Sequence, residues 1–239
     1  MSNKGKKQKG DSQAEFVNLT SHQLRTPLSG SKWMLELLQK SDTGNLNKQQ
    51  KEFIEKIYAS NERMIALVND LLEVAGIDQG STKLYLQPTD LSTVVRSLIK
   101  EKEKEIKKKH LQVSVTIEAE PFPQVISEAN KIKQALNNII SNAITYTPEG
   151  GKITVDLKTQ DGMALGSVAD NGPGIPKAQQ ASVFTKFFRG SNILSVETSG
   201  TGLGLYISKS FIQASGGKLW FKSTEGQGTT FYFTLPLAK

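Results

Sequence analysis

The chain has 239 residues and no cysteine. Disulfide staples and thiolate-bound zinc are therefore excluded, and the composition suits a reducing compartment. No apolar run approaches the ~18 residues that a bilayer span requires. Histidine is scarce, with only His22 and His110 to serve an imidazole chemistry. The N-terminal "MSNKGKKQKGDSQ" carries four lysines and no apolar stretch behind them, which excludes a secretory signal. Residues 1–13 read as a basic flexible tail or linker. Acidic residues are the minority charge, 23 against 30 basic ones, for a net charge of +7. The excess sits mainly in the tail and in "KEKEKEIKKKH", Lys100 to His110. That second run alternates Glu and Lys before turning basic, as a solvated helix face does, so no nucleic-acid partner is expected. A positive balance also suits a polyphosphate ligand.

What is present is enough apolar material, 37% of residues, for two modest cores. Gln13 to Lys40 has apolar residues at helical spacing, and "SDTGNLN" then supplies turn residues. From about Lys48 a second helix aligns Ile57, Met64 and Leu71, with Ile54, Tyr58, Ile65 and Leu72 beside them and Val68 between. That stripe is too wide for one partner helix, so the hairpin predicts a dimeric four-helix bundle, with a monomeric hairpin packed on the next domain as the alternative. Gly76 and Gly80 are expected to end the second helix. "KLYLQ", Lys83 to Gln87, alternates like a strand that Pro88 stops. The expected division is 14–82 for the helical domain and 83–239 for a mixed one. In the latter, helices are expected over Leu91 to Lys109, Glu128 to Tyr146 and Leu203 to Ser215. Strands are expected in "LQVSVTIEA", "KITVDLKT", "MALGSVAD" and "KLWFKST…TTFYFTLP". Helices with mostly antiparallel strands in this order predict an α+β sandwich.

Three patterns in the mixed part carry chemistry. Asn138 and Asn142 are four apart and stack on one helix face, while Ile132, Leu136, Ile139 and Ile140 cover the core side. Their amide oxygens can complete a magnesium shell, although two such asparagines taken alone would be read as local hydrogen-bonders. "DNGPGIP" follows a strand, so that Asp170 can accept a hydrogen bond from an exocyclic amine and Gly172 and Gly174 permit a tight turn beside a ligand. "GTGLGL" opens a helix, and Gly200, Gly202 and Gly204 let backbone N–H groups approach phosphates. It lacks both the preceding strand of a dinucleotide-binding unit and the lysine of a P-loop. Between the glycine motifs, Phe184, Phe187 and Phe188 read either as the anchor of a polar, mobile lid or as plain core.

In order and spacing, Asn138-x-x-x-Asn142, Asp170-x-Gly172-x-Gly174, Phe184-x-x-Phe187-Phe188 and Gly200-x-Gly202-x-Gly204 resemble the N, G1, F and G2 boxes of sensor histidine kinases. "SHQLRTPL" resembles that family's phosphoacceptor box, and "SGGKLWFKSTEGQGTTFYFTLP" resembles its closing strands. The likeness spans roughly residues 14 to 237. It implies a dimerisation and phosphotransfer hairpin followed by a Bergerat-type α/β sandwich that binds ATP. By this resemblance His22 is the nucleophile. Asn142, assisted by Asn138, holds Mg²⁺, Asp170 reads the adenine amine, and Tyr146 lies near the base. The loop from Gly200 to Gly204, with Thr201 and Leu203, frames the phosphates. The implied partners are a second copy, in a homodimer, and a response-regulator receiver domain. The implied location is the cytoplasm, with any membrane link made through segments absent from this chain.

Two positions depart from the family pattern. Gln23 follows the histidine where relatives carry Glu or Asp, and an amide can orient an imidazole but cannot accept its proton. Thr145 stands where relatives often carry Lys or Arg, so either one phosphate-side cation is absent or Lys186 or Arg189 substitutes for it. Thr26, one turn after His22, corresponds to the position that places water for dephosphorylating the regulator. Gyrase-type and chaperone-type ATPases share the nucleotide fold but put Glu at the first N-box position, where this chain has Asn138. The alternative to a kinase is a catalytically weak ATP-binding scaffold.

Overall fold

The computed structural model describes residues 23–39, 46–191 and 200–238. His22, the 1–13 tail, most of the expected interhelical turn and residues 192–199 of the expected lid lie outside the described residues. The chain divides into two compact units, Met1–Thr82 and Lys83–Lys239.

The first unit is a helical hairpin. Helix α1 is described over 23–39 and continues through Pro27. Helix α2, Lys48–Asp78, starts on a capping box in which Asn47 and Gln50 satisfy each other's backbone N–H groups. It runs on through Gly76, so that of the two glycines expected to end it Gly80 is the one that does. The chain then leaves the helix at Gly80, whose φ is +63. Ser81 N–H donates to the Gly76 carbonyl and Gly80 N–H to that of Ile77, the six-to-one and five-to-two bonds that close a helix around a left-handed residue. Along α2 the buried side is Asn61, Val68, Val74 and Ala75. Asn61 donates to the Leu28 carbonyl at 2.9 Å, Arg25 to Asn69 at 3.0 Å and Tyr58 to Glu36 at 3.2 Å, which joins the two helices. Trp33, Met34, Phe53, Ile57, Met64 and Leu67 remain exposed, Trp33 and Met34 by 61% each.

In the second unit, β1 (Gln87–Thr89) precedes helices α3 (Leu91–Glu101) and α4 (Glu103–Lys108). Strands β2 (Gln112–Ile117) and β3 (Val125–Ser127) lead into α5 (Ala129–Tyr146). Strands β4 (Lys152–Gln160) and β5 (Met163–Asp170) follow, then a 3-10 turn at Lys177–Ser182, α6 (Gly204–Ala214), β6 (Lys218–Thr224) and β7 (Gly228–Pro236). The main sheet has the order β2-β4-β5-β7-β6, parallel at β2–β4 and antiparallel elsewhere. The β4–β5 hairpin turns on Asp161 and Gly162, both at positive φ, the geometry a two-residue turn demands. One sheet face carries Ile153, Val155, Leu157, Val168, Phe231, Phe233 and Leu235 into the core under α5 and α6. On α5, Ile132, Ala135, Leu136, Ile139, Ile140, Ala143 and Ile144 fill that core at helical spacing. This is the expected helix-on-sheet sandwich.

The differences are local. The expected strand at Lys83–Gln87 forms instead at Gln87–Thr89, with Pro88 inside it, because β1 is a short edge strand paired only with β3, and an edge tolerates a residue without N–H. β3 itself was not anticipated. The expected Leu91–Lys109 helix breaks at Lys102, since the apolar stripe of Leu91, Val95 and Leu98 ends there. Among the described residues no helix is long and apolar enough to cross a membrane.

Candidate nucleotide site

The site is built where α5, the end of β5 and the start of α6 meet. Asn138, on the middle of α5, donates its amide nitrogen to the Gly204 carbonyl at 3.0 Å and to the Ser208 hydroxyl at 3.3 Å. Ser208 in turn donates to the Ala135 carbonyl at 3.1 Å, so one buried serine bolts α6 to α5. A Cβ on Gly204 would lie 3.2 Å from the Asn138 side-chain carbon, which is why the helices approach so closely here. Asn138 is thus first a structural residue, and only its oxygen is left to face a ligand. The side chain of Asn142, one turn further and half-buried, makes no hydrogen bond among the described residues, so its amide has donors and an acceptor to offer.

Asp170 ends β5. Its Oδ1 accepts from Gly172 N–H at 2.8 Å and from Thr229 N–H at 3.3 Å. Burial pushes its carboxyl above the usual carboxylate range, offset in part by these two N–H groups. Both bonds land on Oδ1, which leaves Oδ2 to meet an amine. A Cβ on Gly172 would lie 2.8 Å from Asp170 Oδ1 and 3.0 Å from the Tyr146 carbonyl, so the glycine couples the acid to the last turn of α5. Gly174 has φ +64 and presses on the β6–β7 turn. Ser223 holds the same loop from below. It accepts from Ile175 N–H at 2.8 Å and donates to the Gly228 carbonyl at 3.0 Å.

The glycines of the last motif are not equivalent. Gly202 has φ +71, and a Cβ there would lie 2.7 Å from the Phe187 carbonyl carbon, so this residue seats the phenylalanine segment. Gly200 has open space beside it among the described residues. Leu203 is fully buried, and its N–H donates to Thr201 Oγ1 at 3.2 Å. Helix α6 starts with no side-chain cap and no acidic residue in its first turn, so its N–H groups and positive end suit an anion. Lys186 lies over the Tyr206 ring at 5.0 Å, and Arg189 is half-buried nearby in sequence. The aromatic trio divides. Phe184 packs edge-on against Phe221 and Phe231 as core, whereas Phe187 is 61% exposed and held at φ +62.

Sequence reading did not single out Ser208, Ser223 or Thr229. Each had a signal, because each is a polar residue at a position whose neighbours in phase point inward: Ile207 and Phe211 on α6, Leu219 and Phe221 on β6, Phe231 and Phe233 on β7. In the first unit, Gln23 and Thr26 are exposed on the first described turns of α1. His110, the second histidine, is exposed and pairs with Glu149 at 2.9 Å. Among the described residues no three His, Asp or Glu side chains gather as a metal site. Asn138 and Asn142 offer amide oxygens, a type of donor that a hard ion keeping water and phosphate ligands can use.

Comparison with known proteins finds a family for each of the two units. Residues 127–239 match the model of the histidine kinase-, DNA gyrase B- and HSP90-like ATPases, and residues 12–80 match the His Kinase A (phospho-acceptor) domain. The sensor histidine kinase WalK of Bacillus subtilis is 39% identical over 226 residues, covering 93% of this chain and 36% of that protein. The chain thus spans about a third of the length of that relative, and 30% and 27% of two further curated relatives. Among solved structures, full-length ShkA in complex with AMPPNP superposes with a TM-score of 0.77 at 29% identity, over 94% of this chain and 46% of that one. The catalytic domain of histidine kinase ThkA superposes with a TM-score of 0.56 at 31% identity, over 64% of this chain and 95% of that one.

Proposed function

The chain belongs to the histidine kinase family, and from that premise we propose that it binds Mg-ATP in its second unit, autophosphorylates on His22 and passes the phosphoryl group to an aspartate of a response-regulator receiver. The observation that carries the nucleotide half is the Asn138–Gly204 junction, which sets an amide-bearing helix beside the uncapped start of α6. Asp170 Oδ2 would accept from the adenine amine, with Tyr146 near the base. Gly200, Thr201, Gly202, Leu203 and Gly204 would present backbone N–H groups to the phosphates, with Lys186 and Arg189 as the cations in place of one at Thr145. Asn142, with the oxygen of Asn138, would hold Mg²⁺, which when bound offsets phosphate charge.

In the transfer, a neutral imidazole nitrogen of His22 attacks the γ-phosphorus. A P–N bond forms as the bond to the β–γ bridging oxygen breaks, giving phosphohistidine and ADP. The imidazole proton is lost to solvent, because the Gln23 amide orients the ring without taking the proton. The exposed apolar residues of the hairpin, from Trp33 to Leu67, support a second copy as partner: one hairpin leaves them bare and a four-helix bundle covers them.

Incubation with γ-labelled ATP and Mg²⁺ tests this reading. Acid-labile, base-stable label is expected on the wild type and none on His22→Ala. Gln23→Glu is expected to label faster, since it restores a carboxylate beside the nucleophile. Nucleotide binding without any label would favour the scaffold reading, which Gln23 and Thr145 motivate. A regulator phosphatase activity is part of the proposal, through Thr26. Thr26→Ala should slow loss of phosphate from the labelled regulator about tenfold or more while its own labelling rate holds, on the scale of general acid–base and positioning effects. Equal loss of both rates would contradict that role.

A further inference from the structure

Lys109 does more than solvate a charged helix. Its ammonium donates to three main-chain carbonyls, those of Ile144 at 2.8 Å, Thr145 at 2.9 Å and Thr147 at 2.6 Å. These are acceptors at the C-terminal end of α5, where a helix leaves its last carbonyls unmatched and its dipole is negative. A lysine has three N–H donors, so the geometry matches the group's full donor set. The backbone of the same residue is engaged as well: its carbonyl accepts from Gly150 N–H at 2.9 Å. Lys109 is itself placed rigidly. It is the C-cap of α4, and His110 after it turns the chain at φ +52.

The three carbonyls bracket Tyr146. The Tyr146 carbonyl is the atom against which Gly172 packs, beside Asp170 Oδ1. The segment 147–151 that Lys109 also grips leads to Lys152, whose N–H donates to Asn171 Oδ1 at 2.7 Å. A clamp on 144–150 therefore sets both sides of the base-recognition corner: the end of α5 with Asn142 and Tyr146, and the turn of Asp170, Asn171 and Gly172. Thr145 contributes no cation here, and the charge beneath this turn comes from a different helix.

We propose that Lys109 is a positioning residue for the nucleotide, fixing the last turn of α5 against the Asp170 turn so that the base end of the ligand is held; this rests on the nucleotide-binding reading of the same site. It acts through main chain and touches no ligand. The role predicts a loss of affinity that follows the base and not the phosphates.

The test measures dissociation constants for ADP and for adenosine, at a temperature where circular dichroism shows each variant folded. Wild type, Lys109→Met, Lys109→Arg and a destabilised control remote from the site, Val95→Ala, are compared. Lys109→Met should weaken both ligands by about tenfold, the scale of one well-placed hydrogen bond. Val95→Ala should bind as the wild type does. Lys109→Arg keeps the charge, but its planar fork cannot converge on three carbonyls, so about a threefold loss is expected for both ligands. If Lys109→Met does not fold, the arginine variant decides alone. Unchanged affinity in the folded lysine variants, or a loss confined to ADP, overturns the proposal. A wild type that binds neither ADP nor adenosine overturns the nucleotide reading itself.

Discussion

Asp170→Asn is expected to leave the second unit folded and melting no lower than the wild type, while weakening ADP binding by about 100-fold or more. The two effects have one source. Burial raises the Asp170 carboxyl above its ordinary value, so the folded state holds the charged form at a disadvantage. For an acid with its folded value raised, the folded state binds more protons than the unfolded one in the window between 3.8 and the raised value. Stability then falls as pH rises through that window, and the penalty is fully present above the raised value. Asparagine removes the penalty, and its oxygen can still accept from Gly172 and Thr229 N–H. It also turns an N–H₂ group toward the base amine, setting donor against donor, and a buried polar mismatch of that kind costs several powers of ten in discrimination. Differential scanning fluorimetry and calorimetric titration with ADP read both arms. Retained ADP affinity within about threefold would remove Asp170 from the recognition role. The same reasoning predicts that ADP affinity of the wild type declines on acidification at a higher pH than an ordinary carboxylate would give.

Gly174→Ala should do the opposite and destabilise the fold. The glycine sits at φ +64, and an added Cβ would fall 2.1 Å from the Thr224 carbonyl oxygen, 2.8 Å from its carbon and 3.0 Å from Glu225 Cα. All three are main-chain atoms of the β6–β7 turn, which Ser223 and the Gly226-to-Pro173 bond already hold in place. Left-handed backbone costs a non-glycine residue about 1–2 kcal/mol, and forcing atoms into a packed contact about 1–3 kcal/mol more. Against a typical domain stability of about 5–15 kcal/mol, a total of about 2–5 kcal/mol lowers the melting temperature by roughly 5–20 °C. Calorimetry of the second unit's transition checks this, and a shift under about 2 °C would show that the turn yields. Gly200 is the internal contrast. It has ordinary φ and, among the described residues, open space, so Gly200→Ala should leave melting unchanged and report only on what approaches that backbone.

The two glycines show how far a motif can be read. Spacing marked Gly172, Gly174, Gly200, Gly202 and Gly204 as places where backbone must come close to something. It did not say to what. The structure assigns Gly174 to the β6–β7 turn, Gly202 to Phe187, Gly204 to Asn138 and Gly172 to the Asp170–Tyr146 corner, while Gly200 faces no atom within 4 Å among the described residues. Likewise Asn138 and Asn142 looked like a matched pair. In the fold the side chain of one ties α5 to α6, and that of the other makes no hydrogen bond among the described residues. The phenylalanines at 184 and 187, similar in sequence, separate into a core ring and an exposed one.

From the sequence alone came the helical hairpin, the α+β sandwich and, through the resemblance of its boxes, the candidate residues for a nucleotide site, because apolar periodicity and box spacing are local properties that tertiary contacts do not need to complete. The tertiary structure alone decided which partner each of those residues meets. Lys109 and Thr147 are 38 positions apart, Asp170 and Thr229 are 59 apart, and Asn138 and Ser208 are 70 apart. Whether a lysine in a charged run ends in water or on three carbonyls depends on which turn of another helix the sheet brings beneath it, and that is a property of the packed core, not of the run.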